Sequence, residues 1–141
     1  MTNEKLILLP ALIHVALIFF LVFATGRGRV IAARKGEVRL SEVALDSSRW
    51  PDHLRKRANN YQNQFELPVL FYVLIALLLA TRLVDPVQII FAWLFLLSRL
   101  VHSYIHTGRN IVIDRFYAFL ASVLSLMIMW IWFAVRLFLQ S

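Results

Sequence analysis

The sequence contains no cysteine and few charged residues. Disulfide bonds, thiolate metal sites and a cysteine nucleophile are therefore excluded, so any thiol chemistry must use a thiol that belongs to a substrate. Charged side chains make up 16% of the 141 residues, whereas 60% of the residues are hydrophobic. The mean hydropathy of +0.71 is far above that of an ordinary soluble domain. The composition therefore points to an integral membrane protein.

Repeats, low-complexity tracts and a cluster of histidines with carboxylates are also missing. We therefore expect one domain over residues 1–141 and no metal site. The N-terminal stretch MTNEKLILLPALIHVALIFFLVFATG has a longer apolar run than a signal peptide and no small-residue cleavage site. It is expected to be a retained first membrane span, because spanning a bilayer takes roughly 20 apolar residues.

Four apolar segments stand out, at about 6–25, 65–84, 86–106 and 111–139. A membrane β-barrel would need alternating segments of about ten residues, so the long continuous runs predict helices. The fold class is therefore an all-α integral membrane protein with a bundle of four transmembrane helices. The second helix is expected to begin before the membrane, with Ser47 or Ser48 as its cap and Pro51 in its first turn. It should continue without a break and kink near Pro68.

Basic residues outnumber acidic ones by 15 to 8 and gather in the connections between the apolar runs. The longest connection, residues 26–58, holds nine Lys or Arg and four acids, and Gly26 and Gly28 mark a flexible start to it. The positive-inside rule places this loop and the 107–115 turn in the cytoplasm, with both termini outside. Because this rule explains the positive charge, nucleic acid is not expected as a partner.

The third segment carries Arg99, His102 and His106 at positions i, i+3 and i+7, which share one face of a helix. A charge facing lipid is costly, so this face should point into a bundle or a water-filled cleft. Three interpretations remain: a structural polar network, a metal site built on the two histidines, and a ligand site. No acidic residue follows at a spacing that would complete a metal site.

The second helix offers a complementary polar face. Arg55, Asn59, Asn63 and Glu66 are spaced by 4, 4 and 3 residues along it. These groups can hydrogen-bond to lipid headgroups and neighbouring helices, or Glu66 and the amides can pair with Arg99 or hold a polar ligand. The surrounding amide-rich patch comprises Asn59, Asn60, Gln62, Asn63 and Gln64.

The start of the fourth helix carries Arg109, Asp114 and Arg115. Asp114 can cap this helix, and Arg115 can either hold an anion or a thiolate near the membrane face or extend its charge to the interface. Together, the polar groups predict a cationic, amide-lined site near the cytoplasmic face that is open to a lipid-soluble partner. Such a site suits the joining or reduction of an apolar substrate by a polar anionic one.

The stretches RANNYQNQFELPVLFY and RLVHSYIHTGRNIVIDR, together with four spans and a long basic loop, resemble the MAPEG family. These are membrane-associated proteins in eicosanoid and glutathione metabolism, and the resemblance covers essentially the whole chain. It implies a homotrimer that binds glutathione between subunits near the cytoplasmic face. It also implies contacts with membrane lipids and a hydrophobic small-molecule substrate. We expect a bacterial member in the inner (plasma) membrane.

The resemblance on the third helix is to Arg-x-x-His-x-x-x-Tyr followed by an arginine nine residues on. Here Arg99 and His102 match, and His106 occupies the tyrosine position. Arg115 falls where such enzymes place the arginine that stabilises the glutathione thiolate. A nearby positive charge lowers a thiol pKa, and the thiolate is the nucleophile.

On the second helix, the family pattern Arg-x-x-x-Asn-x-x-Glu fits in two registers. The first uses Arg55, Asn59 and Gln62, while the second uses Asn59, Asn63 and Glu66 and lies closer to the proline. We prefer the second register because it keeps the acid. The resemblance then makes Arg115 the expected catalytic residue, and the expected glutathione-binding residues are Arg55, Arg57, Asn59, Asn63, Glu66, Arg99, His102 and His106.

These residues lead to two hypotheses about function. The first is a glutathione-dependent transferase or peroxidase that acts on hydrophobic electrophiles or lipid peroxides at the cytoplasmic membrane face. The second is a non-catalytic trimeric membrane scaffold or lipid-binding protein, in which the polar faces form contacts between subunits.

Overall fold

The computed structural model describes residues 2–139, and the ends of the predicted 1–141 domain, residues 1, 140 and 141, lie outside the described residues. The described residues form helices and no strands, as the apolar runs predict. A one-turn 3-10 helix lies at Ser47–Arg49. The helices are α1 (Asn3–Arg34), α2 (Leu40–Val43), α3 (Asp52–Gln62), α4 (Leu67–Thr81), α5 (Pro86–Thr107) and α6 (Val112–Leu139).

Within residues 2–139, four helical segments are long and apolar enough to cross a membrane: α1, α3 with α4, α5 and α6. They run alternately up and down, so the 35–51 and 108–111 connections lie at one end of the bundle, which we call the loop end. The 82–85 turn and the last turns of α6 lie at the other end. There Asp85 accepts hydrogen bonds from the backbone N–H of Gln88 (2.9 Å) and from Nε1 of Trp132 (2.7 Å). Asp85 thus caps α5 and ties α6 to it.

The apolar core lies in the half of the bundle away from the loop end. Phe71 of α4 stacks on Phe95 of α5 with ring centroids 4.4 Å apart, and Ile7 and Met129 pack against them from α1 and α6. Outside this core, large apolar side chains such as Phe23, which is 72% exposed, cover the surface. Such an apolar surface suits contact with lipid.

The expected continuous second helix with a kink at Pro68 is wrong. Helix α3 ends at Gln62, and α4 begins at Leu67 with Pro68 in its first turn. A proline has no N–H to donate and disfavours helical backbone in the preceding residue, so a new helix starts here rather than a kinked one continuing. Residues 63–66 form tight turns, in which the N–H of Gln64 donates to Tyr61 O.

The predicted caps of this helix also differ from the observed ones. Pro51 lies at the position before α3 rather than inside its first turn. Asp46 caps the 3-10 helix, accepting from the backbone N–H (2.9 Å) and the hydroxyl (2.6 Å) of Ser48. These two bonds hold the pKa of Asp46 below its ordinary value, because they favour the charged carboxylate.

Helix α1 continues through Gly26 and Gly28 to Arg34, so these glycines are not a flexible start to the loop. Gly28 has a packing role instead. A Cβ at this position would lie 2.6 Å from Cδ2 of Leu54, which is itself buried. The missing side chain therefore lets α3 pack closely on α1.

Candidate functional site

The polar face of α5 is buried inside the subunit. Arg99, His102 and His106 are 0%, 3% and 4% exposed, which confirms that they share an inward-facing helix surface. The rings of the two histidines are in edge contact, with centroids 5.7 Å apart. Among residues 2–139, no group of three or more potential metal-ligating side chains is assembled. The two histidines therefore lack the third protein ligand that a zinc site requires.

Gln64, in the break between α3 and α4, holds Arg99 in place. Its Oε1 accepts from a terminal guanidinium nitrogen of Arg99 (3.0 Å), and its Nε2 donates to the backbone and side-chain oxygens of Asn60 (3.0 and 3.2 Å). Asn60 in turn donates to the hydroxyl of Ser103 (2.7 Å). We call the following residues the buried network: His14, Asn60, Gln64, Tyr72, Arg99 and Ser103.

His14 extends this network to α1. Its Nε2 lies 3.1 Å from Oε1 of Gln64, and its Nδ1 lies 2.6 Å from the hydroxyl of Tyr72. Since the Gln64 oxygen can only accept, His14 Nε2 carries the hydrogen. In the neutral ring Nδ1 is then the acceptor, and the Tyr72 hydroxyl donates to it. The network thus connects α1, α3, α4 and α5 through directed hydrogen bonds.

Arg99 is held by amide groups and not by a carboxylate. The same terminal nitrogen donates to the backbone oxygen of Asn63 (2.7 Å), and no ion pair of Arg99 occurs among residues 2–139. Glu66 is exposed. The interpretation that amides pair with Arg99 is therefore confirmed, whereas a direct pair with Glu66 is wrong. The break in the helix accounts for this difference, because it takes Glu66 off the face that α3 presents.

Arg115 lies in the first turn of α6 and is half-buried. Its NH1 donates to Oδ1 of Asn110 (2.7 Å) and lies 3.4 Å from Nε2 of His106. Asp114 is also in the first turn and is not the cap, because α6 begins two residues earlier at Val112. The structure thus brings Arg115 and His106 together.

Two clefts open near the loop end of the bundle. The first, which we call the apolar cleft, has a volume of about 800 Å³. Apolar side chains of α1 and α5 form most of its wall, and Arg57 and Arg109 add two cations. Its lining residues are Leu17, Phe20, Leu21, Ala24, Thr25, Arg57, Leu100, Ser103, Tyr104, Ile105, Thr107, Gly108, Arg109, Ile111 and Asp114.

The second cleft, which we call the polar cleft, has a volume of about 460 Å³. Three cations and one carboxylate line it, together with amides and hydroxyls. Its lining residues are Arg29, Ser47, Ser48, Trp50, Asp52, Arg55, Lys56, Ala58, Asn59, Gln62 and Asn110.

The loop that precedes α3 forms one wall of the polar cleft, and two cations of the cleft, Arg55 and Arg29, contact this loop. Arg55 donates to the backbone oxygen of Ser48 (3.1 Å) and to Oδ1 of Asp52 (2.8 Å). The guanidinium of Arg29 lies 5.2 Å from the ring centroid of Trp50, within the range of a cation–π contact. These contacts leave the positive charge in excess on the cleft wall.

Six of the nine predicted site residues lie in three places in the subunit, whereas Arg115 is half-buried at the start of α6, Asn63 lies at the end of α3 and Glu66 is exposed. Arg55, Asn59 and also Gln62 line the polar cleft, as the first register of the helix-two pattern would have it. Arg57 lines the apolar cleft, and Arg99, His102 and His106 are interior. The second register, which we preferred, has no common helix face, because α3 ends before Asn63 and Glu66.

His14 and Asn110 do not belong to the set of site residues predicted from sequence, and Gln64 is predicted only as a member of the amide-rich patch. Gln64 follows Asn60 by four residues, a spacing that places both on one helical face. His14 is a lone polar residue in an apolar run, which is a cue for an interior role. Asn110 follows the glycine that ends α5, and asparagine tolerates the left-handed backbone of helix ends. These features of the sequence could have identified Gln64, His14 and Asn110 as residues of this region.

Comparison with known proteins decides the family. The model of the MAPEG family matches residues 7–135. The chain belongs to the MAPEG family. It is a multi-pass integral membrane protein of a family in glutathione and eicosanoid metabolism. Searches among curated proteins and among solved structures found no match.

Proposed function

We propose that this MAPEG protein is a glutathione-dependent transferase or peroxidase that acts on hydrophobic electrophiles or lipid peroxides. One observation carries the proposal: a cationic polar cleft and a larger apolar cleft adjoin the same turn. Gly108, Arg109 and Ile111 line the apolar cleft, and Asn110 between them lines the polar one. A reaction between a polar thiol and an apolar substrate needs this kind of neighbouring pair of sites.

The polar cleft fits the peptide part of glutathione. Glutathione carries two carboxylates and one ammonium group, and the cleft offers Arg29, Arg55 and Lys56 against the single carboxylate of Asp52. Asn59 and Gln62 add amides that can both donate and accept hydrogen bonds. We assign the carboxylates to these cations. Arg99 is left out of this assignment because its side chain is buried.

The thiol is assigned to Arg115, which Asn110 connects to the polar cleft. The guanidinium lowers the pKa of the bound thiol by stabilising the thiolate. The thiolate then attacks the electrophile held in the apolar cleft, a C–S bond forms, and the leaving group departs with its electron pair. With a lipid peroxide, the thiolate attacks one peroxide oxygen, an S–O bond forms as the O–O bond breaks, and the lipid leaves as an alkoxide that takes up a proton. A second glutathione then attacks the resulting sulfenic acid, which gives glutathione disulfide and water.

The assembly and orientation follow from the family and from the charge distribution. The proposed unit is a homotrimer with glutathione between subunits, a neighbouring subunit closing the open side of the polar cleft. The loop end holds most of the basic residues, which favours the cytoplasm for this end and the opposite side for both termini. We propose the bacterial inner membrane as the location.

Calorimetric titration of the purified protein in detergent tests the proposal. Glutathione should bind with release of a proton when the thiol ionises, whereas S-methylglutathione should bind without that release. Arg34→Ala is a suitable control variant, since Arg34 is exposed and lines neither cleft. A lack of heat from glutathione at millimolar concentration would refute the proposal.

The burial of Arg99 supports a second candidate, a non-catalytic trimeric scaffold or lipid-binding protein. Arg99 is used within the subunit, so part of the predicted cationic set is structural. In this case Arg115 would support assembly, and Arg115→Ala would lower the trimer fraction. Trimer loss in this variant, together with no conjugation by the unmodified protein, would favour the scaffold.

A further inference from the structure

The turn between α5 and α6 has a backbone that few residue types adopt. Asn110 has a φ of 53°, in the left-handed region that glycine and asparagine enter most readily. Its N–H donates to the backbone oxygen of Ile105 (2.8 Å), and the N–H of Gly108 donates to Tyr104 O (3.0 Å). These bonds end α5 and fix the place from which the Asn110 side chain extends.

That side chain joins the polar cleft to Arg115. Asn110 lines the cleft, and its Oδ1 accepts from NH1 of Arg115 at 2.7 Å. The other partner of the same nitrogen is Nε2 of His106, at the longer distance of 3.4 Å. The Asn110 oxygen is therefore the closest fixed group that orients the guanidinium.

The oxygen that orients Arg115 is also neutral. Among residues 2–139, no carboxylate forms an ion pair with Arg115. Asp114 is next in sequence, but it lines the apolar cleft. The other charged groups around the polar cleft are Arg29 from α1 and Asp52, Arg55 and Lys56 from α3. An amide thus aims the guanidinium without reducing its charge.

We propose that Asn110 is a positioning residue that directs Arg115 toward the thiol of glutathione and keeps the full positive charge available to it. The inference rests on the proposed function and adds to it the device that makes Arg115 effective. Asn110 combines the three properties required: a left-handed backbone, a short acceptor and no charge. Aspartate offers the first two and fails the third, whereas glycine offers the first and the third but has no acceptor.

The experiment compares Asn110→Asp and Asn110→Gly with the unmodified protein. The pKa of bound glutathione is read from the ultraviolet absorbance of the thiolate as pH is raised. In Asn110→Asp the carboxylate competes with the thiolate for Arg115, so the thiol pKa should rise by about one unit, and at a pH well below that pKa the thiolate fraction should fall about tenfold. In Asn110→Gly the guanidinium loses its orientation, and a smaller rise is expected.

Binding of S-methylglutathione, which has no ionisable thiol, provides the control. Its affinity should change little in either variant, which distinguishes a positioning role from a damaged cleft. Both variants can adopt the left-handed turn, and Asn110→Gly carries the test if Asn110→Asp does not fold. An unchanged thiol pKa in the folded variants would overturn this inference alone. No glutathione binding by the unmodified protein would overturn the proposed function and this inference with it.

Discussion

The buried network and the polar cleft use the same kinds of side chain, but they differ in what completes their hydrogen bonds. In the network, both ends of the Gln64 amide are bonded to groups of the same subunit. In the cleft, Arg55 bonds to Ser48 and Asp52 and Arg29 lies over the Trp50 ring, but these cations and Lys56 also line an open volume. An arginine in the buried network therefore stabilises the fold, and an arginine in the polar cleft can bind a ligand.

This difference follows from the solvent that surrounds each region. In the hydrocarbon part of a membrane no water is available to a polar group, so the groups of the network rely on partners within the protein. Among the described residues, Gln64 supplies most of these partners, while Nε and NH1 of Arg99 have none. At the loop end, the polar cleft opens between α3 and the 35–51 loop, where water or a ligand can take part. Burial, rather than residue type, therefore separates Arg99 from the arginines that we propose bind a ligand.

Gln64→Leu should have the largest effect on the free energy of unfolding, because Gln64 belongs to the buried network. The change leaves Arg99, His14 and Asn60 without their shared partner inside the bundle. Each buried polar group that loses its bond costs about 1–3 kcal/mol. We expect the free energy of unfolding to fall by about 3 kcal/mol, as measured by denaturant titration in mixed micelles.

The matched control is Gln62→Leu, two residues earlier on an exposed part of α3. It should change the free energy of unfolding by no more than about 0.5 kcal/mol. Equal destabilisation by the two variants would show that the network does not stabilise the fold.

Among changes near the two clefts, Arg115→Ala should have the largest effect on the rate of conjugation. Removing the guanidinium raises the pKa of the bound thiol, so the reactive thiolate forms only at higher pH. We expect kcat/KM for conjugation to fall about 100-fold near neutral pH, as for the loss of one charge-stabilising group in other enzymes. The rising limb of the pH–rate profile should move to higher pH, and the free energy of unfolding should change little. A rate loss that is the same at every pH would contradict this role.

The sequence predicts the fold well because long apolar runs must form helices in a membrane. It also predicts the shared face of Arg99, His102 and His106, because that face depends only on helical periodicity. It does not predict the break at residues 63–66. Pro68 is compatible with either a kink or a new helix start, and packing decides between them.

The candidate site is less predictable because its parts meet only in three dimensions. Arg55 and Arg57 are two residues apart, yet they line different clefts. The length of α1 is also not evident from the sequence, since GRGRVIAAR has a loop-like composition but forms the last turns of this helix, where Gly28 leaves room for Leu54. The pairing of Asn110 with Arg115 depends on a left-handed turn that composition alone does not determine.

Arg55→Ala and Arg57→Ala should show whether the two clefts bind different ligands. Their effects on the Kd and KM values should be smaller than the effect of Arg115→Ala on conjugation. Arg55 lies in the polar cleft, so its loss should raise the Kd of glutathione about tenfold, the cost of one charged hydrogen bond. This effect should shrink at high salt, which screens exposed charges. Arg57 lines the apolar cleft, so Arg57→Ala should leave the glutathione Kd nearly unchanged and raise the KM of an anionic hydrophobic substrate. Identical effects of both variants on glutathione would mean that the two clefts form one site.

Tyr72→Phe should have the smallest effect on the free energy of unfolding among the network variants, because it removes only the outermost hydrogen bond of the buried network. The Tyr72 hydroxyl donates to His14 at 2.6 Å, and the Phe variant keeps the ring that packs beside Phe71. We expect a loss of about 1 kcal/mol in the free energy of unfolding. Tyr104→Phe is the control, since Tyr104 is 81% exposed. If Tyr72→Phe also lowered conjugation, at equal stability and equal glutathione affinity, the network would take part in catalysis and its separation from the cleft would fail.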